Sequence, residues 1–551
     1  MTLNPIDDLA KVPENTAKLA KALTKRKKNA YVAIADRFGL FLKTEEFAEL
    51  YAKTGKYAFC PVRLALTVLI QFAEDLSDRE VVDAIINRID LKYFLRLPLE
   101  FDGFDHTILS EFRDRLIEGS AEELLFSRIL EIAKAEGLLK KEKQRTDSTH
   151  VLSAARNMTR VENILETMRM ACNMCAKEAP KFTLRVSKKF IVIEAYQTRG
   201  FGFYMPRKDA DRIKLAETIA KDAKTLLKAI DDDEEMHFLN KTESIKLLRR
   251  VLAEQFDDTG NTPKFRKQED LAPSAHLIGS PHDPDARYST KRKKTHLGFK
   301  LHFTETCEKG FPNLITDVQL TKSTTSDSEM LQVIQRSLRK RELCPAEHIV
   351  DAGYTKVEQM RKSFERFEIK TVGPLRGGNS RQSEEGKGFD SSNFVVDWKK
   401  EVVICPTGER SESWRLRKSR KVIEVKFPAS SCQSCNFKSS CTSSLSGRKM
   451  ELKTQKDFEF MEKHRHWEKT EDFKERYRIR AGVEGTISQA VKTAGMRRAK
   501  YFGLAKVRMQ ALWTAAAINV LRLADHVMLK VSAKTRIPEF GKLTFPSLKT
   551  A

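Results

Sequence analysis

The sequence predicts an α/β core with a helical N-terminal domain, and three observations support this prediction. Strand-like and helix-like segments alternate between residues 296 and 374. Short helices with capping residues fill most of residues 1–140. Residues 155–270 are rich in Ala, Glu, Lys and Leu, as long amphipathic helices are. With 551 residues the chain exceeds what one core usually holds, so we expect several domains.

The N-terminal helices are predicted from apolar spacing and from capping residues. Residues 62–74 carry apolar side chains at helical spacing. Ser77 with Glu80, and Ser120 with Glu123, have the spacing of capping boxes. Such a series of short helices suits a helix-turn-helix-like DNA-binding module. A small helical bundle without a DNA role is the alternative.

The core is predicted from the segments that follow. Residues 296–306 and 312–321 alternate apolar and polar side chains, as half-buried strands do. A helix over about 326–342, a short strand ending at Asp351, a helix over 356–367 and a further strand come next. Strand-like pieces then lead to a cluster of cysteines. Helix resumes near residue 455, and its charged side chains favour packing in a protein core over a membrane span.

The charge balance predicts a polyanionic partner, either nucleic acid or an acidic membrane surface. Lys and Arg number 100 against 76 Asp and Glu, which gives a formal net charge of +24. No apolar run approaches the ~20 residues that span a bilayer, and the N-terminus lacks a signal-peptide pattern. We therefore expect a bacterial cytoplasmic protein associated with the nucleoid and not with a membrane. The alternative is that the excess charge only maintains solubility.

Two basic runs, Lys25–Lys28 and Lys291–Lys294, are candidates for contacts to DNA phosphates. Each run taken alone is also typical of a solvated loop.

Three acidic residues stand in distinctive contexts. Asp147 lies in RTDSTHV, Asp351 in HIVDAGY and Glu484 in YRIRAGVEGTISQ. Two aspartates and a helical glutamate brought together would form a cage of hard oxygens for one or two divalent cations. Asp351 ends an apolar strand, where α/β sheets bind ligands, although Asp is also a common turn residue there. The residues before Asp147, KKEKQRT, do not predict a buried strand.

The segment around Glu484 carries a second functional pattern. At about 100° per residue, Tyr477, Arg480 and Glu484 share one face of a helix. Arg suits phosphate because its planar fork donates two hydrogen bonds. A solvated Arg–Glu pair is the alternative. Gly482 and Gly485 weaken a helix, which favours a backbone that another element or a nucleic-acid strand approaches closely.

RTDSTHV, HIVDAGY and YRIRAGVEG resemble the three catalytic blocks of DDE transposases of bacterial insertion sequences. The resemblance is to the IS-four-like superfamily, whose signature is Tyr-x2-Arg-x3-Glu-x6-Lys. Tyr477, Arg480 and Glu484 match that signature. Val491 stands where the signature has Lys, and Lys492 follows it. The resemblance covers most of the chain, from about residue 40 to 525.

The resemblance implies a ribonuclease-H-like core with insertions. The implied domains are an N-terminal DNA-binding domain (1–140), a core (141–154 and 286–374), a helical insertion (155–285), a β-rich insertion (375–465), C-terminal core helices that carry Glu484 (466–530) and a tail (531–551).

The resemblance also implies the chemistry. Asp147, Asp351 and Glu484 would bind two Mg²⁺ or Mn²⁺ ions, one activating water or a 3′-hydroxyl and the other stabilising the leaving oxygen. The partners would be double-stranded DNA, as terminal inverted repeats and target, and a second copy of the chain in a homodimer. The residues expected to contact DNA phosphates are Tyr477, Arg480, Lys492, Arg497 and Arg498.

Four cysteines fall close together: Cys405, Cys432, Cys435 and Cys441. Four thiolates in tetrahedral geometry are a structural zinc site, and the strands between them would form a zinc-ribbon-like hairpin beside the basic run RLRKSRK. Reduced cysteines without metal are the alternative. In relatives an insertion at this place helps to hold DNA ends, sometimes through an aromatic residue. Trp398 and Trp414 lie here, and packing in a small core is the alternative for both.

The leading functional hypothesis is therefore a metal-dependent DNA transposase that cleaves the ends of an insertion sequence and joins them to target DNA. A DNA-binding relative without catalytic activity is the first alternative. A ribonuclease-H-like DNA nuclease without strand transfer is the second.

Overall fold

The computed structural model describes residues 1–4, 9, 11–25, 28–197, 205–257, 262–291, 293–376, 389–529 and 539. The chain divides into two compact units. One comprises Met1–Leu138 with Ala516–Ala551, and the other comprises Leu139–Ala515. The tail predicted at 531–551 lies outside the described residues except for Glu539.

The first unit is helical. Its helices before Leu138 are α1 (Glu14–Thr24), α2 (Ala30–Phe38), α3 (Pro61–Ala73), α4 (Asp78–Asn87), α5 (Ile89–Phe94), α6 (Thr107–Glu118) and α7 (Leu124–Ala135), with a 3-10 helix at Thr44–Leu50. Helix α3 is buried along almost its whole length and forms the centre of this unit.

One of the two predicted capping boxes is confirmed and the other is wrong. The Ser77 side chain accepts a hydrogen bond from the Glu80 backbone at the start of α4, and Glu80 returns the bond. Ser120 instead belongs to the end of α6: its amide donates to Ile117, and its φ is +53°. Helix α7 begins after Glu123, without a side-chain cap. The serine fails as a cap because Gly119 has just closed the preceding helix.

The second unit contains the sheet strands. These are β1 (Lys143–Leu152), β2 (Phe256–Asp257), β3 (Lys264–Phe265), β4 (Arg287–Lys291), β5 (Lys294–Thr306), β6 (Ile315–Lys322), β7 (Glu347–Ile349), β8 (Lys370–Val372), β9 (Val395–Asp397), β10 (Val402–Ile404), β11 (Ser413–Arg417), β12 (Val422–Lys426) and β13 (Lys449–Lys453).

Helices fill the intervals from residue 139 onward. They are α8 (Arg160–Glu178), α9 (Pro180–Ser187), α10 (Ile193–Gln197), α11 (Asp209–Asp231), α12 (Glu243–Gln255), α13 (Asp327–Lys340), α14 (Val357–Phe367), α15 (Ala429–Gln433), α16 (Lys438–Cys441), α17 (Gln455–Glu468), α18 (Glu471–Arg478), α19 (Gly482–Lys492) and α20 (Leu504–Val527), with 3-10 helices at Glu234–Lys241, Gln268–Asp270, Ser391–Asn393 and Ile479–Ala481.

A mixed six-stranded sheet forms the centre of this unit, as the α/β prediction requires. Its order is β4–β5–β1–β7–β8, and β6 pairs with the C-terminal part of β5. Strand β1 is antiparallel to β5 and parallel to β7, which is parallel to β8. Lys143 pairs with Glu347 and Arg145 pairs with Ile349. Continued by two residues, this register places Asp147 and Asp351 at the same level of the sheet.

Strand β1 begins earlier than its sequence indicates, because Gln144, Arg145 and Thr146 are buried in the sheet although they are polar. Its polar groups find partners inside. Arg145 forms an ion pair with Glu305 at 2.7 Å, and the hydroxyl groups of Thr146 and Thr304 lie 2.6 Å apart. A buried polar group costs little when it is hydrogen-bonded, so an apolar pattern is not required here.

The helical insertion predicted at 155–285 consists mainly of α8 to α12, which share a hydrophobic core. Cys172 and Cys175 lie on α8, and Cys175 is fully buried in that core. The β-rich region pairs β9 with β10, and β11 with β12 and β13. Trp398 and Trp414 meet edge to face at 5.5 Å against the core of this region, as the packing alternative predicts.

Within the described part of the chain, no helix combines the length and the apolar character needed to cross a membrane.

Candidate functional site

The sheet brings two of the three acidic residues side by side. Asp147 lies on β1, and Asp351 follows the end of the neighbouring parallel strand β7. Glu484 lies in the first turn of α19, which contacts β1. The Asp147 side chain is 14% exposed, whereas that of Glu484 is 62% exposed. Asp147 and Asp351 therefore lie at the sheet, while Glu484 lies on the adjacent helix and is largely exposed to solvent.

Arg480 joins the helix side of this site to the strand side. Its Nη2 donates to Asp147 Oδ2 at 3.0 Å, and its Nη1 donates to Glu484 Oε1 at 3.0 Å. The Arg480 Nε is buried and has no hydrogen-bond partner among the described residues. Burial acts to lower the pKa of Arg480, but Asp147 and Tyr477 outweigh it, so the pKa is raised. The guanidinium stays charged and holds two of the three carboxylates.

Asp147 is in an environment that disfavours its charged form. Burial raises its pKa from 3.8 to about 6, although Arg480 and the amide of Ser148 act to lower it. Asp351 and Glu484 add to the rise because like charges repel. Three carboxylates that affect one another in this way form a concentrated negative site, which a cation would stabilise.

The three signature residues do not share one continuous helix, so that expectation is wrong. Tyr477 lies on α18, Arg480 lies on the 3-10 turn Ile479–Ala481, and Glu484 lies on α19. The Tyr477 ring stacks on Phe473 at 5.6 Å, and burial raises the pKa of its hydroxyl. The tighter 3-10 turn still allows Arg480 and Glu484 to meet.

A buried ion pair docks α19 against the sheet. Arg145, beside Asp147 on β1, forms its ion pair with Glu305 and donates to the carbonyl of Ile479 at 2.6 Å. The hydroxyl of Thr486 on α19 donates to Glu305. A side chain at Gly482 would overlap the Arg145 guanidinium. The predicted close approach therefore exists at this glycine.

Gly485, in contrast, faces open space: a Cβ there would have no heavy atom within 4 Å. Close approach by another element is therefore not the reason for this glycine in the described structure.

A pair of charged residues that was not predicted from the sequence lies close to Asp351. Lys300 on β5 donates to Asp327 Oδ1 at 3.0 Å, at the start of α13. A Cβ at Gly353 would lie 2.9 Å from Asp351 Oδ1 and 3.0 Å from Asp327 Oδ2. Asp327 thus adds a fourth carboxylate beside the three predicted ones. Its only signal in the sequence is the start of a predicted helix.

The other expected phosphate ligands have different environments. The Arg497 Nη1 donates to the carbonyl of His150 at 2.9 Å, so this side chain ties its loop to β1. Lys492 is the last residue of α19, and Lys492 and Arg498 are both exposed. Their side chains show no hydrogen bond or ion pair to the part of the protein that the structure describes, and they can reach an external phosphate.

The basic runs are only partly described. Arg26 and Lys27 of the first run and Arg292 of the second lie outside the described residues. Lys291 and Lys294 are opposite each other in the register of the antiparallel strands β4 and β5, at the end of this hairpin.

The basic run beside the cysteines is largely paired. Arg417 and Arg420 form ion pairs with Glu424, and Lys421 forms one with Glu358. Part of its charge is therefore neutralised within the protein, which weakens its case as a DNA contact.

The four clustered cysteines line one cavity of about 40 Å³, together with phenylalanine side chains and Arg448. Burial raises the pKa of Cys441, Arg448 acts to lower it, and the other three thiols add to the rise. Throughout the described ranges, however, no three or more His, Cys, Asp or Glu side chains are grouped so that they could hold a metal ion. The thiols share a cavity without forming a closed ligand set.

Two segments of the chain match known family models. Residues 404–524, which include Arg480 and Glu484, match the family model described as "Transposase DDE domain". Residues 20–115 match the model described as "Transposase domain (DUF772)". No curated protein and no solved structure matches the chain. A DDE domain implies dependence on a divalent metal and binding to DNA. The two matches together support a DNA transposase function, in which the enzyme catalyses DNA phosphoryl transfer.

Proposed function

We propose that the protein cleaves DNA at the ends of an insertion sequence and joins the 3′ ends to target DNA, with Asp147, Asp351 and Glu484 as its catalytic carboxylates. The observation that carries the proposal is the shared level of the two aspartates on adjacent parallel strands, with Glu484 joined to Asp147 through Arg480. The position of Glu484 within the matched transposase segment supports it.

We also propose a ribonuclease-H-like core of the IS-four-like superfamily, with the domain limits predicted from the sequence. The sheet order supports this proposal: β5 lies between β6 and β1 and is antiparallel to both, and the parallel strands β7 and β8 continue the sheet beyond β1. The proposed catalytic residues then lie on β1, after the end of β7 and on α19, which contacts β1.

The carboxylates offer the oxygen ligands that the hard cations Mg²⁺ and Mn²⁺ prefer. Among the described residues no three such side chains are grouped closely enough to hold a metal ion, so Asp147, Asp351 and Glu484 would have to close in from their present positions. Asp147, Asp351 and Glu484 would hold two ions, which when bound activate the attacking oxygen and neutralise charge on the leaving oxygen. The rise in the pKa of Asp147 supports the fit, because a nearby cation would relieve the repulsion among these groups.

The protein's own residues would orient the DNA. Arg480 donates to Asp147 and Glu484 through its two terminal nitrogens, so a bound phosphate would compete with these carboxylates for its fork. Lys492 and Arg498 are exposed and would add phosphate contacts, while Tyr477 and Arg497 would act close to the sheet. Terminal inverted repeats and target DNA would be bound by a homodimer in the cytoplasm, at the bacterial nucleoid.

The test is cleavage of a labelled duplex that carries the DNA flanking the gene, in the presence of Mg²⁺ or Mn²⁺. Wild-type protein is expected to cut at a defined end, and Asp351→Asn is expected to bind the same duplex without cutting it. Equal cutting by both proteins would place the nuclease elsewhere. Tight binding without cutting by either protein, on authentic ends, would favour the DNA-binding relative. Cutting without joining to target would favour the nuclease.

We further propose that Cys405, Cys432, Cys435 and Cys441 bind a structural zinc ion in their common cavity. The chemistry of four thiols supports this, and the side chains would have to close in from their present positions. Wild-type protein is expected to contain about one zinc per chain, and Cys432→Ser to lose most of it together with thermal stability.

Metal content measured by mass spectrometry and unfolding followed by calorimetry check the zinc prediction. Cys344→Ser, a half-buried cysteine outside the cluster, is the matched control and should keep the zinc. Wild-type protein without zinc after purification in zinc-containing buffer would support reduced cysteines instead.

A further inference from the structure

A buried tyrosine connects the two segments that carry the proposed catalytic aspartates. Tyr354 lies three residues after Asp351, in the same turn, and its amide donates to the Asp351 carbonyl at 3.2 Å. Its side chain is fully buried under the sheet. The hydroxyl lies 2.6 Å from Nδ1 of His302 on β5, and the side chain of Ser148 on β1 is close enough to lower the pKa of the phenol.

Ser148 carries this connection to the other aspartate. It directly follows Asp147, and its backbone amide donates to Asp147 Oδ1 at 2.7 Å. Ser148 and His302 are also cross-strand partners in the β1–β5 register. The Tyr354 hydroxyl therefore contacts β5 beside Ser148, at the level of Asp147, while the backbone of Tyr354 holds the Asp351 turn.

The protonation state of His302 determines which group donates the hydrogen bond between His302 and Tyr354. Burial lowers the pKa of His302 to about 4, so the ring is neutral near pH 7 and has one acceptor nitrogen. In the tautomer that accepts at Nδ1, the Tyr354 hydroxyl donates to His302. The phenol keeps its proton, because burial together with Asp327, Asp147 and Asp351 raises its pKa.

Resting on the proposed function, we propose that the Tyr354 hydroxyl is a positioning group that fixes the separation of Asp147 and Asp351. It contacts neither substrate nor metal. Its effect is to hold the Asp351 turn against β1, so that the two carboxylates face the same ions. Mg²⁺ demands near-ideal geometry at short ligand distances, so a small shift of one carboxylate weakens the site.

The test compares two tyrosines in the full-length protein. Tyr354→Phe removes the hydroxyl and keeps the ring. Tyr196→Phe is the matched control, because Tyr196 is also buried and donates its hydroxyl to Asp222 at 2.9 Å in the helical insertion. Mn²⁺ binding to the DNA-free protein is measured by calorimetry, and cleavage is measured against Mg²⁺ concentration.

Tyr354→Phe is expected to bind Mn²⁺ about tenfold more weakly and to need correspondingly more Mg²⁺ for half-maximal cleavage. Tyr196→Phe is expected to match wild type in both assays, even where its melting temperature falls as far as that of Tyr354→Phe. His302→Asn, which keeps an acceptor close to the Nδ1 position, should retain more metal affinity than His302→Ala.

Equal Mn²⁺ binding by Tyr354→Phe and Tyr196→Phe would overturn the positioning role while leaving the proposed function intact. A wild-type protein that neither binds Mn²⁺ nor cuts DNA would overturn the proposed function and this role together. An effect of Tyr354→Phe on DNA affinity alone, with metal binding unchanged, would also overturn it, because the role is exerted through the carboxylates.

Discussion

Replacing Asp147 by Asn is expected to abolish DNA cleavage and, in the absence of metal, to stabilise the fold. The loss of activity should be on the order of 10³-fold or more, because a member of a catalytic set is removed. The gain in stability has a separate cause. The ionised Asp147 side chain destabilises the folded protein, as the rise of its pKa from 3.8 to about 6 shows. Because Asn carries no charge, the substitution removes this cost.

The pH dependence of this gain follows from the sign of the pKa shift. Below about pH 4 the carboxyl of Asp147 is protonated in both folded and unfolded chains, so it contributes no difference. Between about pH 4 and 6 the unfolded chain releases the proton first, and the free energy of unfolding falls as pH rises. Above about pH 6 the full cost remains, about 3 kcal/mol at most for a shift of this size.

The measurement is calorimetric unfolding of both proteins in EDTA at pH 4 and at pH 7.5, beside cleavage assays with Mg²⁺. The stability advantage of Asp147→Asn should appear at pH 7.5 and vanish near pH 4. Asp270→Asn, at an exposed position in a 3-10 turn, is the control and should change neither property. A variant that is less stable than wild type at pH 7.5 would contradict the proposed electrostatic cost.

Gly482→Ala is expected to destabilise the protein and to stop cleavage, although the substitution favours a helix. The new methyl group would overlap the Arg145 guanidinium, which is fixed by Glu305 and by the Ile479 carbonyl. Overpacking of this kind typically costs about 1–3 kcal/mol. Relief would require Arg145 to leave a buried partner, and α19 would then move away from β1 with Glu484.

Gly485→Ala is the matched control three residues further along the same helix. It meets no atom, so it should preserve stability or raise it by up to about 1 kcal/mol through helix propensity. Urea unfolding and cleavage rates distinguish the two variants. Equal behaviour of both would show that the contact with Arg145 does not limit the helix position. A stable Gly485→Ala protein with weakened DNA binding would indicate that a DNA strand approaches the backbone there.

The parts of the fold that depend on local patterns could be predicted from the sequence. Strand β5 could be predicted as a strand from its alternating apolar side chains, although it is buried on both faces from Leu297 onward and is not half-buried as predicted. The cap at Ser77 needs only residues within one turn. Strand β1 could not be predicted at its start, because Arg145 is buried only through its partner Glu305, far away in the chain. The cap predicted at Ser120 failed for a local reason, since the preceding helix ends only one residue earlier and determines the conformation of the serine.

The candidate site shows the same limit. Asp147, Asp351 and Glu484 could be identified from the sequence motifs around them. Their joint catalytic role remains a prediction. The bridge from Arg480 to Asp147 was not predictable, because it depends on how α19 docks on the sheet. Asp327 and Tyr354 were missed for the same reason: each meets the site through a partner on β5. Sequence patterns identify residue types, whereas contacts between distant segments decide which groups meet.

The order of strands in the sheet also bears on when a newly made chain could first cut DNA. Strand β1 is translated early, but both of its neighbours, β5 and β7, follow the long helical insertion. Glu484 is translated later still, after the β-rich region. Because protein chains fold from the N-terminus while they are synthesised, a nascent chain carries Asp147 without its proposed catalytic partners for most of its synthesis. On the proposed assignment, an incomplete chain on the ribosome is therefore harmless to the genome beside it.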